Sequence, residues 1–141
     1  MAVPSTGSPA MPSAQNVLIV EDSYLLLEII ASLCATQGIR VIEASSGEAA
    51  LTILRERGGA IDWLFTDIRL PGLIDGWSVA EAFRSLHPDR PVVYTSTAPA
   101  LPPRAVRGSL YLRKPFQIRD IEHVVRMMAQ GLVDEPLRAA V

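Results

Sequence analysis

The sequence is poor in the features that mark several large protein classes. It has one cysteine, Cys34, in 141 residues. A lone thiol cannot close an internal disulfide, which excludes the disulfide-stapled scaffolds and fits a reducing compartment. No apolar run approaches the roughly 20 residues that a membrane-spanning helix needs. Residues 1–16 lack the charged and apolar regions of a secretory signal, so the chain reads as cytoplasmic, with no membrane partner. Positive charge is not in excess either. The formal net charge is −2, which argues against sequence-general binding of nucleic acid. No internal repeat is visible.

What the chain does have is apolar material. Hydrophobic residues make up 49% of it, ample for the core of one domain. Residues 1–16 hold three prolines and several serines, too little apolar surface to offset the entropy of ordering, and read as a flexible tail. Residues 17–130 read as the folded unit and 131–141 as a short second tail. That tail is too short for a DNA-binding or enzymatic domain, so output is expected to lie in a partner protein.

Within 17–130, short apolar runs alternate with helical periodicity. Strands are expected over residues 17–20, 39–43, 61–66, 92–95 and 110–112. Ser23 caps a helix to residue 37, with Leu26, Ile29, Ile30 and Leu33 facing in and Gly38 as its stop. Leu25 and Leu27 add apolar surface beyond that stripe. Ser46 caps a second helix to residue 57. A third, over residues 76–87, turns Val79, Phe83 and Leu86 inward. The last, over 116–130, carries Ile118, Ile121, Val125 and Met128 on one face and Arg119, Glu122 and Arg126 on the other. Pro99, Pro102 and Pro103 stand where a further helix belongs. Each costs roughly 3 kcal/mol in a helix interior, so a turn or irregular loop is expected there. The alternation predicts an α/β fold, a doubly wound five-stranded parallel sheet in the order 2-1-3-4-5 with its fourth helix degenerate.

In such a sheet, functional groups collect at the carboxyl ends of the strands, at the switch point between strands 1 and 3. Glu21 and Asp22 follow the first strand, Asp67 the third, and Lys114 the fifth. Crowded carboxylates repel one another, and a hard, oxygen-preferring ion such as Mg²⁺ (or Mn²⁺) relieves this. Asp22 and Asp67 read as direct ligands, the main-chain carbonyl of Arg69 completes the set, and Glu21 reaches the ion through water. One Asp67 oxygen then remains to attack phosphorus. Lys114 offsets phosphoryl charge, and Ser96, ending strand four between Thr95 and Thr97, offers a hydroxyl. Tyr111, three residues before Lys114, is expected to point away from the site towards the outer surface. His87 and His123 read as surface residues, and Trp63 and Trp77 as packing.

Four pieces stand in order: Val17-Leu18-Ile19-Val20-Glu21-Asp22-Ser23; Asp67-Ile68-Arg69-Leu70-Pro71-Gly72 with Asp75-Gly76; Pro91-Val92-Val93-Tyr94-Thr95-Ser96; and Tyr111-Leu112-Arg113-Lys114-Pro115-Phe116. Together they resemble a response-regulator receiver domain of two-component signalling, of the stand-alone, flavodoxin-like type. The resemblance implies that Asp67 is the phosphoacceptor, that Glu21 and Asp22 are the metal acids, and that Ser96 and Tyr111 form a switch pair. Lys114 would be the phosphate lysine and its bond to Pro115 cis. It implies a histidine kinase or histidine phosphotransfer protein as donor, a downstream protein as output, and allows a homodimer. Such a domain promotes its own phosphorylation and dephosphorylation without being an enzyme for other substrates. The loop after Asp67 looks one residue longer than the commonest family version, and residues 97–108 replace a helix, so partner surfaces are not carried over there. Two other readings stand beside this one. A phosphorylation-independent pseudo-receiver is disfavoured by the complete residue set. An aspartyl-nucleophile phosphohydrolase would carry a second acid where Arg69 stands.

Overall fold

The elements in chain order are β1 (Asn16–Val20), α1 (Tyr24–Thr36), β2 (Arg40–Ala44), α2 (Gly47–Arg57), β3 (Trp63–Asp67), α3 (Gly76–Leu86), β4 (Val92–Ser96), β5 (Leu110–Arg113) and α4 (Ile118–Gln130). They are seen in a computed structural model, which describes residues 14–99 and 103–131. The strands form one five-stranded parallel sheet, β2-β1-β3-β4-β5, as the alternation requires. Boundaries differ from the sequence expectation by one or two residues. Residues 132–141 of the second expected tail and 1–13 of the first lie outside the described residues.

Strand residues alternate between two apolar layers. Val17, Ile19, Trp63, Phe65 and Val93 face the layer built with α1 and α4. Leu18, Val20, Leu64, Val92 and Tyr94 face the layer built with α2 and α3. A sheet covered on both sides has no solvent face, which is why its strands read as continuous apolar runs. Each fully buried large side chain contributes about 1.5–3 kcal/mol of transfer free energy.

Local chemistry sets the helix starts. Ser23 Oγ accepts from the Leu26 amide, Ser46 Oγ from Ala49, and Asp75 Oδ1 from Ser78 at 3.0 Å. In α4, Asp120 Oδ2 accepts from the Gln117 amide at 2.9 Å, and Gly131, at φ 70°, ends the helix in the left-handed region.

Inward-facing assignments in three helices need correction. In α1 the buried positions are Leu27, Ile30 and Cys34; Leu26 and Leu33 are half-buried and pack against the same core, Ile29 is half-buried, and Leu25 is exposed. The run Leu25-Leu26-Leu27 leaves the helix's rotation open, and packing against α4 settles it. Leu86 and Ile118 are exposed rather than inward, each lying at an end of its helix beyond the core. His87 is half-buried, its Nε2 lying 2.7 Å from the Gly58 carbonyl oxygen.

No helix is present among the described residues between β4 and β5. The chain instead folds back onto α3. Ala105 and Val106 pack against the α2–α3 layer. The Val106 amide donates to the buried Tyr94 hydroxyl at 3.1 Å, and Arg84 donates to the Arg107 carbonyl at 2.6 Å. Arg104 binds both Glu81 oxygens, at 3.0 and 3.1 Å, and lies 3.6 Å from Asp75.

Candidate functional site

Three chain segments deliver charge to one end of the sheet. β1 runs directly into Glu21 and Asp22, β3 ends on Asp67, and β5 leads to Lys114. Because β1 and β3 are adjacent, their acids converge: carboxylate oxygens of Glu21, Asp22 and Asp67 lie within 4.8 Å of one another. Glu21 and Asp67 are buried and Asp22 is exposed, so the cluster is open to solvent on one side.

Lys114 closes the cluster. Its Nζ donates to Asp67 Oδ2 at 2.8 Å and to Glu21 Oε1 at 3.3 Å. Its own amide donates to the Ser96 carbonyl at 2.6 Å, and the Lys114–Pro115 peptide is cis. Glu21 Oε2 accepts from the Ser23 amide at 3.0 Å and Asp67 Oδ1 from the Arg69 amide at 3.3 Å. Burial pushes the Glu21 carboxyl above its ordinary value; the Ser23 amide and the Lys114 charge offset this only in part. Burial alone would lower the Lys114 ammonium, but its hydrogen bond and charge contact with Asp67, joined by Glu21, raise it. The lysine is therefore firmly charged.

Three carboxylates face one ammonium, and the donor set is all oxygen. That chemistry fits a small divalent cation of the Mg²⁺ or Mn²⁺ kind. Arg69 is exposed at the start of the loop that follows Asp67. The base of that loop closes where the Gly76 amide donates to the Ile68 carbonyl at 2.8 Å. A Cβ on Gly76 would lie 2.1 Å from the Asp67 carbonyl oxygen, so only glycine lets α3 start there.

Of the three neighbouring hydroxyls, Thr95 is within β4, opposite Asp67 in the register, and fully buried; Thr97 is exposed. Ser96 ends the strand, and its Oγ accepts from the Ala98 amide at 3.1 Å. Tyr111 is not at the outer surface. It is half-buried against the α2–α3 layer, and its hydroxyl donates to the carbonyls of Ser96, at 3.3 Å, and Ala98. Its packing against that layer and its hydroxyl bonds to the chain just after β4 account for the difference.

Two residues at this end of the molecule escaped the sequence reading. Glu48, in the first turn of α2, accepts from the Leu73 amide at 2.9 Å. Arg104 ties the segment after β4 to α3 and to Asp75. The only signal for either is a single charge, which carries no address.

Residues 17–126 match the response regulator receiver domain family. The chain is 30% identical over 126 residues to the sensor kinase CckA of Brucella abortus, covering 85% of this chain and 13% of that protein. It is 29% identical to the two-component response regulator ARR14 of Arabidopsis thaliana, covering 82% of this chain and 32% of that one. It thus spans a third or less of these two relatives. Among solved structures, a response regulator receiver protein from Sinorhizobium medicae superposes with TM-score 0.71 at 31% identity, over 84% of this chain and 97% of that one. The receiver domain of the hybrid histidine kinase CckA gives 0.68 at 32% identity, over 82% and 99%.

Proposed function

Because the chain belongs to the response regulator receiver domain family, we propose that it is a phosphorylation-controlled switch with Asp67 as its phosphoacceptor. The observation that carries this reading is Lys114 Nζ bridging Asp67 and Glu21 within a three-acid cluster. A histidine kinase or histidine phosphotransfer protein is the donor. An Asp67 oxygen forms a bond to phosphorus as the phosphorus–nitrogen bond to the donor imidazole breaks, and that nitrogen takes up a proton. Lys114, held charged by its acidic neighbours, is placed to pair with a phosphoryl oxygen. Ser96 Oγ already accepts from Ala98, which leaves its hydroxyl hydrogen free to donate to a phosphoryl oxygen. Asp22, Asp67 and the Arg69 carbonyl, with Glu21 beside them, would hold Mg²⁺, which supplies positive charge to the transferring oxygens.

Ser96 and Tyr111 form the switch pair in this reading. The Tyr111 hydroxyl holds the Ser96 and Ala98 carbonyls, so drawing Ser96 towards a phosphoryl group must re-partner the tyrosine. Tyr111 ring resonances are expected to shift on saturation with beryllofluoride and Mg²⁺. Unchanged resonances at saturation would rule out that coupling.

The acceptor assignment is tested on a phosphate-affinity gel after incubation with a phosphorylated histidine phosphotransfer protein. A retarded band is expected for wild type and none for Asp67→Ala. Equal retarded bands would refute the assignment and favour another acceptor. Partner binding that is indifferent to Asp67→Ala would favour a phosphorylation-independent binding module.

A further inference from the structure

We infer that Glu48 is a positioning residue for the Asp67 site: its carboxylate holds the loop over residues 69–75 and thereby fixes where the Arg69 carbonyl stands. The inference rests on the function proposed above and extends it to a residue on α2, a helix that contributes nothing to the acid cluster.

The loop leaves β3 at Asp67 and returns at α3. Its base is fixed at both ends. The Arg69 amide donates to Asp67 Oδ1 at 3.3 Å, and the Gly76 amide donates to the Ile68 carbonyl at 2.8 Å. Between these points Leu70 and Ile74 pack partly buried against the α2–α3 layer, which leaves Pro71-Gly72-Leu73 as the exposed tip. Leu73 is 96% exposed, and Ile74 is half-buried. The tip between these anchors is tied by Glu48, whose Oε2 accepts from the Leu73 amide at 2.9 Å, a charge-assisted bond across 25 residues of sequence.

Two glycines shape this contact. Gly72 sits at φ +87°, and a Cβ there would lie 2.7 and 2.9 Å from the two Glu48 carboxylate oxygens. On the other side, a Cβ on Gly47 would lie 2.4 Å from the Ile74 carbonyl oxygen. Gly47 thus lets the start of α2 lie against Ile74, and the Glu48 carboxylate fills the space that a side chain at Gly72 would take. The Leu73 amide also holds the Glu48 carboxyl below its ordinary value, as expected of an anion receiving a directed donor.

A main-chain carbonyl serves as a metal ligand only if its loop is held in place before the ion arrives. A tether at the far side of the loop acts by that preorganisation and touches neither ion nor phosphoryl group. Loss of the tether is expected to weaken Mg²⁺ binding about threefold to tenfold, the middle of the roughly twofold to thirtyfold range for residues that act on a site without contacting its ligand.

The test compares wild type, Glu48→Ala and Glu48→Gln by Mg²⁺ titration, and follows exchange of the Leu73 amide in the metal-free proteins. Glutamine loses the charge but keeps an acceptor oxygen, so it separates tethering from a change in the local field. The inference expects faster Leu73 exchange and threefold to tenfold weaker Mg²⁺ binding in Glu48→Ala, with Glu48→Gln within about twofold of wild type. Melting temperatures measured alongside are expected to stay close to one another, because Glu48 is exposed. If Glu48→Ala binds Mg²⁺ as wild type does, the inference falls and the proposed function stands. If Glu48→Gln is as weak as Glu48→Ala, charge rather than position is at work, and the inference again falls. If wild type itself takes up no Mg²⁺, the proposed function fails and the inference with it.

Discussion

Gly76→Ala is expected to destabilise the protein by about 3 kcal/mol, the upper part of the range for forcing atoms into a packed site. Helix propensity alone gives the opposite sign, since alanine is favoured over glycine by about 1 kcal/mol in a helix interior. Here sterics decide. The added Cβ would meet the Asp67 carbonyl oxygen at 2.1 Å and the Ile68 Cα at 2.8 Å, both backbone atoms that no rotamer change can move aside. The start of α3 would have to retreat, and the loop that carries Arg69 with it. A fall in melting temperature of about 10 °C is anticipated for a loss of that size. Gly38→Ala is the control. Gly38 has φ +73° with nothing within 4 Å of its Cβ, so only the cost of a left-handed backbone applies, about 1–2 kcal/mol. Urea unfolding of both variants measures the difference. A Gly76→Ala protein as stable as wild type would mean that the loop base does not close as described.

The second large effect concerns metal withdrawal. Wild type with free Mg²⁺ at a hundredfold excess over its dissociation constant is expected to gain about 2.7 kcal/mol of stability, all of it removed by a chelator. Asp22→Asn is expected to lose most of that gain while leaving the metal-free protein intact, because Asp22 is exposed. The effect should depend on pH in a definite sense. Burial raises the Glu21 carboxyl in the folded state, so the stability contributed by its proton is full below the ordinary carboxylate value and is lost as pH rises through the raised one. The metal-free protein therefore carries its largest electrostatic cost near neutrality, and there the Mg²⁺ gain should be largest. Under acid, protons compete for the same oxygens and the gain should shrink. Thermal unfolding with and without Mg²⁺ at several pH values reads this directly. A gain that is constant with pH, or present in full in Asp22→Asn, would contradict the acid cluster as the metal site.

The acid cluster is legible in the sequence because each member follows a local rule. An apolar strand that halts at Asp67, or at Glu21 and Asp22, places its acid at a strand end, and the crossover order of a doubly wound sheet does the rest. Lys114 follows in the same way from β5. The failure of a regular helix after Ser96 is likewise local, since Pro99, Pro102 and Pro103 each forbid one. What replaces that helix is not local. Arg104 meets Glu81 and Asp75 only because residues 103–109 fold back over α3, and the prolines that deny a helix do not say where the chain goes instead. Tyr111 shows the same limit: alternation along β5 gives the face of its ring, while its partial burial depends on the Ser96 and Ala98 carbonyls and on the layer it packs against. Glu48 is the extreme case. Its role depends on two glycines, in separate segments, that let α2 and the loop meet, and a single acid beside Gly47 gives no hint of Leu73.

The most direct test of Asp67 as a phosphoacceptor within a metal site is beryllofluoride binding, with and without Mg²⁺, on wild type and Asp67→Ala, followed by NMR. Saturable binding by wild type in the presence of Mg²⁺ alone, and none by Asp67→Ala, is the expected result. Binding that survives Asp67→Ala, or wild type that fails to bind with Mg²⁺ in excess, would contradict the account.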